Sequence, residues 1–282
     1  MRYNLGMQLE DEIGDTIAKA RAGNGLSIAQ LAAAAGLDER DIADMEAYRL
    51  TPSEDTAKRL ARALGLDEDK VAAFATGSWA PQPATGRFGK LSVWAIHVPF
   101  GAYGENAYVA GCPDSSRGAV IDPGGAVSDI ERTLHANRLT LDLILITHAH
   151  PDHIDGLREL VSLHDGVTVV CSEADREAVM TSIDADWRSA EDGVSFHLGE
   201  LSVTPLATPG HTAGSTCYVI DGTCFVGDTL FAGSIGRPMH DYRKMLDAIK
   251  SKVLSLPEDT VLLPGHGPAT TVGEELRHNP FF

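Results

Sequence analysis

The chain has 282 residues, of which 43% are hydrophobic and 22% charged, a balance typical of a folded globular protein and not of a disordered chain. Its 40 Asp and Glu outnumber its 23 Lys and Arg, and the formal net charge of −17 disfavours nucleic acid and anionic membranes as partners. No apolar run approaches the ~18 residues that span a bilayer, so a membrane protein is not expected.

The expected compartment is the cytoplasm. Residues 1–15 lack the basic and then apolar pattern of a secretory signal. The four cysteines form no CxxC pair, so neither a disulfide framework nor a thiolate metal site is predicted.

Residues 1–75 predict five short helices. Ser27 and Gln30 have the spacing of a capping box, while Asp38, Ser53 and Asp67 are candidate N-caps for the next three helices. This helix order, with a tight turn over 34–37, resembles the helix-turn-helix domain of the lambda-repressor/Cro type. The resemblance implies DNA binding by the third helix. The alternative is a small helical bundle without a DNA role.

Charge argues against DNA binding by this domain. The third helix, residues 38–46, contains five acidic residues and one basic residue, and residues 1–80 contain fourteen acids and nine bases. Affinity for DNA depends largely on neutralising phosphates, so useful binding is not expected. We expect instead a role in assembly or protein contact, with a homodimer formed through the alanine-rich second helix, residues 29–35.

Residues 76–90 are rich in Pro and Gly and predict a linker. From residue 91 to 282, short β-branched and aliphatic runs alternate with helical patterns, which predicts an α/β (α+β) domain with sheets covered by helices. The longest expected helices cover residues 127–137, 154–163 and 242–256.

The strongest motif is a group of histidines and one aspartate directly after a strand-like run. His148, His150, Asp152 and His153 lie within six positions, at a strand end followed by a helix. Imidazole and carboxylate together suit Zn, Fe, Mn or Ni. Three further residues, each just past a strand-like run, could join them: His211, Asp228 and His266.

This pattern resembles the metallo-β-lactamase fold hydrolases over essentially all of residues 91–282. The resemblance implies an αββα sandwich with two divalent metal ions at one edge, most simply Zn, with Fe or Mn as alternatives. By the same resemblance, one metal is held by His148, His150 and His211. The second is held by Asp152, His153 and His266, and Asp228 bridges them. Asp152 and Asp228 are the implied catalytic carboxylates, and a metal-bound hydroxide is the implied nucleophile.

Two further residues are candidates for the site. Asp122, before Pro123 and Gly124, either orients a ligand histidine or is simply a turn residue. Arg237 either pairs with a substrate carboxylate or forms a structural ion pair.

The segments 227–237, 264–271 and 279–281 resemble glyoxalase II-like hydrolases, which implies acyl thioesters such as hydroxyacylglutathione as substrates. Only 16 residues follow His266. The C-terminal helical domain that binds glutathione in full-length glyoxalase II is therefore not expected, and glutathione specificity stays open.

Two other functions compete with thioester hydrolysis. A persulfide dioxygenase of the same fold would need one Fe(II) and only the equivalents of His148, His211 and Asp228. A metabolite-sensing transcription regulator would need a basic DNA-contacting helix and usually has a degraded metal site. The complete ligand set favours the hydrolase, and counting metals per chain separates it from the dioxygenase.

Overall fold

A computed structural model describes residues 9–80, 89–100, 103–181 and 183–282. Residues 1–8 of the expected helical domain and 81–88 of the expected linker lie outside the described residues. None of the described helices is long and apolar enough to cross a membrane.

The first part of the chain forms five short helices around a small apolar core. Ser53 and Asp67 cap two of them, and Ser27 with Gln30 forms the expected capping box. Asp38 occupies an N-cap position, but its side chain makes no capping hydrogen bond, so that expectation was wrong in part. The helices are α1 (Ile13–Gly23), α2 (Ile28–Ala35), α3 (Glu39–Glu46), α4 (Glu54–Leu64) and α5 (Glu68–Ala75). We call them the helical unit.

The rest of the chain is built on two six-stranded sheets. In the first sheet the strands follow chain order, and only the first two pairings are antiparallel. Its strands are β1 (Ser92–Phe100), β2 (Tyr103–Cys112), β3 (Arg117–Ile121), β4 (Thr140–Leu145), β5 (Thr168–Cys171) and β6 (Asp186–Ser189).

The second sheet has the order β14-β13-β10-β9-β8-β7, with one parallel pairing, β10 with β13. Its strands are β7 (Phe196–Leu198), β8 (Leu201–Ala207), β9 (Thr216–Ile220), β10 (Thr223–Gly227), β13 (Val261–Pro264) and β14 (Thr270–Thr271). A small hairpin, β11 (Leu230–Phe231) and β12 (Ser234–Ile235), follows β10.

Helices cover the outer faces of both sheets, as the resemblance implied. The helix expected over 154–163 is interrupted, because α7 (Pro151–Ile154) ends before α8 (Leu157–Leu163) begins. The helix expected over 242–256 is α10 (Tyr242–Ala248), continued by a π-helical turn, Ile249–Val253. The remaining helices are α6 (Val127–Ala136), α9 (Arg176–Met180) and α11 (Val272–His278).

Three apolar cores hold these layers together. One lies between the sheets and includes Tyr108, Tyr218 and Phe225. A second packs α6 and α8 on the outside of the first sheet. The third lies outside the second sheet, where Ile17 and Leu31 of the helical unit share one cluster with Met245 of α10 and Cys224 of β10. The helical unit is therefore part of the outer layer of the sandwich.

Candidate metal centre

Seven histidine and aspartate side chains meet where the ends of the two sheets come together. Four of them follow β4 of the first sheet, because the chain turns there into α7. The other three follow β8, β10 and β13 of the second sheet. Since each residue is held by a strand end, the sandwich fixes their positions. The residues are His148, His150, Asp152, His153, His211, Asp228 and His266.

A first cluster brings three imidazoles and one carboxylate together, with one ligand atom from each residue within 4.8 Å of the others. His150 Nδ1 lies 2.9 Å from His148 Nε2 and 3.0 Å from His211 Nε2. Asp228 Oδ2 lies 3.5 Å from His211 Nε2 and 4.0 Å from His148 Nε2. Three nitrogens and an oxygen at this spacing suit a tetrahedral cation such as Zn²⁺.

A second cluster lies beside the first and contains Asp152, His153 and His266. His266 Nε2 is 3.4 Å from Asp152 Oδ2, and His153 Nε2 is 3.9 Å from the same oxygen. Asp228 faces this cluster through its other oxygen, because Oδ1 lies 3.4 Å from His153 Nε2 and 3.6 Å from His266 Nε2. Asp228 therefore presents one oxygen to each cluster.

The chemistry of these atoms fits two divalent cations. His153 Nε2 and Asp228 Oδ1 are buried and have no hydrogen-bond partner among the described residues. Leaving such atoms unpaired costs free energy, which a cation between them would remove. Burial holds the pKa of His148 well below its ordinary value, and neutral imidazole is the form that binds a metal. Against the effect of burial, Asp228 and Asp122 raise the pKa of His153, and Asp152 and Asp228 raise the pKa of His266 to about 9, so a cation would displace a proton from these two rings.

Contacts behind the ligands fix which nitrogen faces the clusters. The Nδ1 atoms of His153, His211 and His266 contact Asp122 Oδ2 at 3.0 Å, the Arg237 carbonyl at 2.7 Å and the Gly104 carbonyl at 2.8 Å. Each of these rings consequently turns its Nε2 toward a cluster. A Cβ on Gly265 would lie 2.6 Å from Asp228 Oδ1, so the close approach of this loop requires glycine.

Asp122 combines both roles considered for it. Its backbone has φ of +49°, which suits a turn, and its carboxylate is buried. The carboxylate accepts hydrogen bonds from the Thr147 backbone N–H at 2.7 Å and hydroxyl at 2.6 Å, in addition to its contact with His153. It thus ties the end of β4 to a ligand histidine.

Arg237 contributes to the site through its backbone. Its carbonyl oxygen contacts His211, while its side chain is exposed. Within the described part of the chain, its guanidinium has no ion pair, so the structural ion pair considered for it is absent there. Of the two roles considered for Arg237, the exposed guanidinium is compatible with contact to a substrate carboxylate.

Glu105 was not expected at this site. It lies on β2, has no exposed surface, and places Oε1 3.8 Å from His153 Nδ1. Both carboxyl oxygens lack a hydrogen-bond partner among the described residues, and burial raises the carboxyl pKa well above its ordinary value. The signal in the sequence was a Glu–Asn pair directly before the apolar run at residues 107–110.

Comparison with known proteins gives two family matches. Residues 100–266 match the metallo-beta-lactamase superfamily, and residues 12–74 match a helix-turn-helix domain. The hydroxyacylglutathione hydrolase GloC of Haemophilus influenzae is 31% identical over 204 residues, which cover 65% of this chain and 95% of that protein.

Two solved structures resemble this fold over about two thirds of the chain. TTHA1623 in a di-iron-bound form is 31% identical, with a TM-score of 0.56, and the match covers 66% of this chain and 100% of that one. ETHE1 from Myxococcus xanthus is 28% identical, also with a TM-score of 0.56, over 66% of this chain and 83% of that one. The helical unit lies outside the share of the chain matched by the superfamily model.

Proposed function

Because the chain belongs to the metallo-beta-lactamase superfamily, whose members include metal-dependent hydrolases, we propose that it hydrolyses acyl thioesters at a binuclear metal centre. The observation that carries this proposal is the position of Asp228, with one carboxylate oxygen toward each cluster. The 31% identity to a hydroxyacylglutathione hydrolase supports a thioester as the substrate class.

The proposed ligands are His148, His150 and His211 for one cation, Asp152, His153 and His266 for the other, and Asp228 for both. When bound, the two cations lower the pKa of a shared water and polarise the substrate carbonyl. We assign Zn²⁺ as the simplest occupant, because nitrogen and carboxylate ligands without thiolates suit it; Fe and Mn are the alternatives.

The chain's own residues set the spacing of the two clusters and orient the proposed ligand rings. Asp228 sets the spacing of the two clusters, and Asp122 and the carbonyls of Gly104 and Arg237 hold the ligand rings. The side chain of Asp152 is 19% exposed against 11% for Asp228, so Asp152 is the carboxylate nearer to an entering substrate. The exposed Arg237 guanidinium is the proposed partner of a substrate carboxylate.

Metal analysis followed by turnover tests this proposal. We expect two divalent metal ions per chain, and hydrolysis of members of a thioester panel in preference to lactones. A single iron per chain, together with oxidation of a persulfide, would contradict the proposal and support the dioxygenase instead.

Replacing the bridging carboxylate provides a sharper test. Asp228→Ala should lower thioester hydrolysis by at least about 100-fold, because even residues behind metal ligands are worth ~10–100-fold. Bound metal measured by mass spectrometry should fall with it. Asp184→Ala, at an exposed aspartate, is the matched control and should change neither quantity. Retention of both metals and normal turnover in Asp228→Ala would refute the bridging role.

For the helical unit we propose a role in assembly, with homodimers formed through α2. Ala29, Ala33 and Ala34 are exposed on this helix, and small side chains allow close approach of two copies. Light scattering of the whole protein and of an Ala33→Glu variant tests this: the wild type should have the mass of a dimer and the variant that of a monomer. Equal masses would contradict it.

A further inference from the structure

The polypeptide just before α1 lies against the loop that carries a proposed metal ligand. Gly267 follows His266 and has φ of +74°, a conformation that favours glycine. A Cβ built on Gly267 would lie 3.1 Å from both the backbone nitrogen and the Cβ of Glu10. The absence of a side chain at Gly267 therefore allows Glu10 to pack directly on the loop of the second cluster.

Buried polar contacts hold this segment in place. Asp11, next to Glu10, forms an ion pair with Lys19 and accepts a hydrogen bond from the Ser234 hydroxyl. Lys19 also donates to the Ile235 carbonyl at 2.8 Å. Because Asp11 and Lys19 are both buried, neither can leave its partner without a large cost in free energy.

The same contacts extend to the metal centre through an aromatic ring. Lys19 Nζ lies 4.9 Å from the centre of the Phe231 ring, and Phe231 packs edge-on against His266 with ring centres 5.9 Å apart. The segment before α1 thus contacts the loop of the second cluster directly, and α1 of the helical unit reaches His266 through Phe231.

Glu10 brings a carboxylate to this position. It is half-buried against the loop that follows His266; burial raises the pKa of its carboxyl, and the nearby His266 lowers it. Arg237 lies beside the first cluster, where its carbonyl contacts His211. The edge of the site is therefore acidic beside His266 and carries a cationic residue beside His211.

We propose that Glu10 is a specificity-determining residue through which the helical unit selects substrates at the second cluster. It favours thioesters with a cationic or neutral substituent beside His266 and disfavours those with an anionic one. The proposal deepens the proposed function, because it rests on a metal centre at the two clusters. It gives the helical unit a part in substrate choice.

Binding of small thiols tests this inference without turnover. The whole protein is loaded with Co²⁺, and the visible spectrum reports binding of cysteamine, 2-mercaptoethanol and mercaptoacetate, which carry a positive, zero and negative substituent. Glu10→Gln should lower the preference for cysteamine over mercaptoacetate by about fivefold, because a nearby unit charge acts with opposite sign on the two ligands. Comparing each ratio with that of the wild type cancels the intrinsic differences between the thiols.

Glu39→Gln is the matched control, since it removes the same charge from an exposed position of the helical unit. It should leave the ratio unchanged. An unchanged ratio in Glu10→Gln refutes the inference, and so does loss of Co²⁺ from that variant, which would make Glu10 part of the metal site. Failure of the wild type to take up Co²⁺ refutes the metal centre itself. A shifted ratio in a protein that hydrolyses no thioester supports the inference and refutes only the proposed reaction.

Discussion

A buried carboxyl on α11 joins this helix to the small hairpin of β11 and β12. Glu275 has no exposed surface and accepts hydrogen bonds from the Thr270 hydroxyl, the Asn279 amide and the Gly233 backbone N–H. Burial is the largest influence on this group and raises the pKa of Glu275 to about 7. The folded chain therefore holds a proton there that the unfolded chain has already lost.

This proton makes the stability of the fold depend on pH. Between the ordinary pKa of 4.5 and the folded value of about 7, the folded chain binds more protons than the unfolded chain. The free energy of unfolding should consequently fall as pH rises through this range, by about 3 kcal/mol in total from this group. Glu275→Gln cannot ionise, so its free energy of unfolding should lack this decrease.

Urea unfolding of both proteins at several pH values from 5 to 8 measures the difference. Other titrating groups are common to the two proteins and cancel. Glu200→Gln, at an exposed glutamate, should follow the wild type. Parallel pH profiles for Glu275→Gln and the wild type would show that the buried carboxyl does not hold the proton.

At the scale of single elements, α1 is the helix that ties the two parts of the fold together. Gly23, at its end, faces the Tyr242 ring of α10, where a Cβ would lie 2.4 Å from a ring carbon. Lys19, in its middle, is the buried partner of Asp11. The position of α1 therefore depends on the close contact between Gly23 and Tyr242 and on the buried ion pair between Lys19 and Asp11.

Breaking that charge pair should be costly. Lys19→Met leaves the Asp11 carboxylate buried without its cation, which we expect to lower the free energy of unfolding by about 3–5 kcal/mol. The double variant Asp11→Asn with Lys19→Met removes both charges and should recover a large part of this loss. Urea unfolding midpoints measure both effects, and equal midpoints for the single and double variants would contradict this account.

Most elements that position the site follow from local sequence. The capping box of α2, the strand β4 and the proposed ligands after β8, β10 and β13 are visible because hydrophobic runs stop at turn residues. The hydrophobic runs did not predict five strands: β6, β7, β11, β12 and β14. In β6, Asp186–Ser189, polar residues alternate with an aromatic one, and its pairing with β5 is set by tertiary contacts.

The part of the site that was not predictable depends on contacts across long stretches of chain. Glu105 and His153 lie on different elements, and Glu10 and Gly267 lie in loops near opposite ends of the chain. No local pattern records that an acidic residue near the beginning of the chain will pack on a loop near residue 267. The histidines and aspartates that the structure brings together were easier to find, because each directly follows a strand-like run in the sequence.

At the scale of the whole molecule, the charges of the helical unit bear on DNA binding. All eight Lys and Arg in residues 9–80 have an acidic or backbone carbonyl partner. Five acids lie in α3 or at its N-cap and are partly or fully exposed: Asp38, Glu39, Asp41, Asp44 and Glu46. We expect no tight binding to duplex DNA at physiological salt, because no cluster of free cations is available there for phosphates.

Fluorescence anisotropy with a library of labelled duplexes measures the affinity of the protein for DNA. Binding should remain weak for every sequence, with little change as salt increases. Tight, salt-sensitive binding to one defined duplex would overturn the expectation, and would place the chain among regulators that contain an enzyme-like domain.

The shared core outside the second sheet has a consequence for the order of events during synthesis. Lys70 donates to the carbonyl of Leu276, 206 residues later, and the Asp67 N–H donates to the Pro280 carbonyl. The helical unit thus leaves the ribosome long before the surface that covers it. The apolar face of the helical unit, which includes Ile17, is therefore exposed to solvent in the nascent chain. It is covered only after the later surface, which includes Tyr242, has been synthesised. A general chaperone that shields apolar surface should therefore raise the soluble yield of this protein when the two are co-expressed, and an unchanged yield would contradict this account.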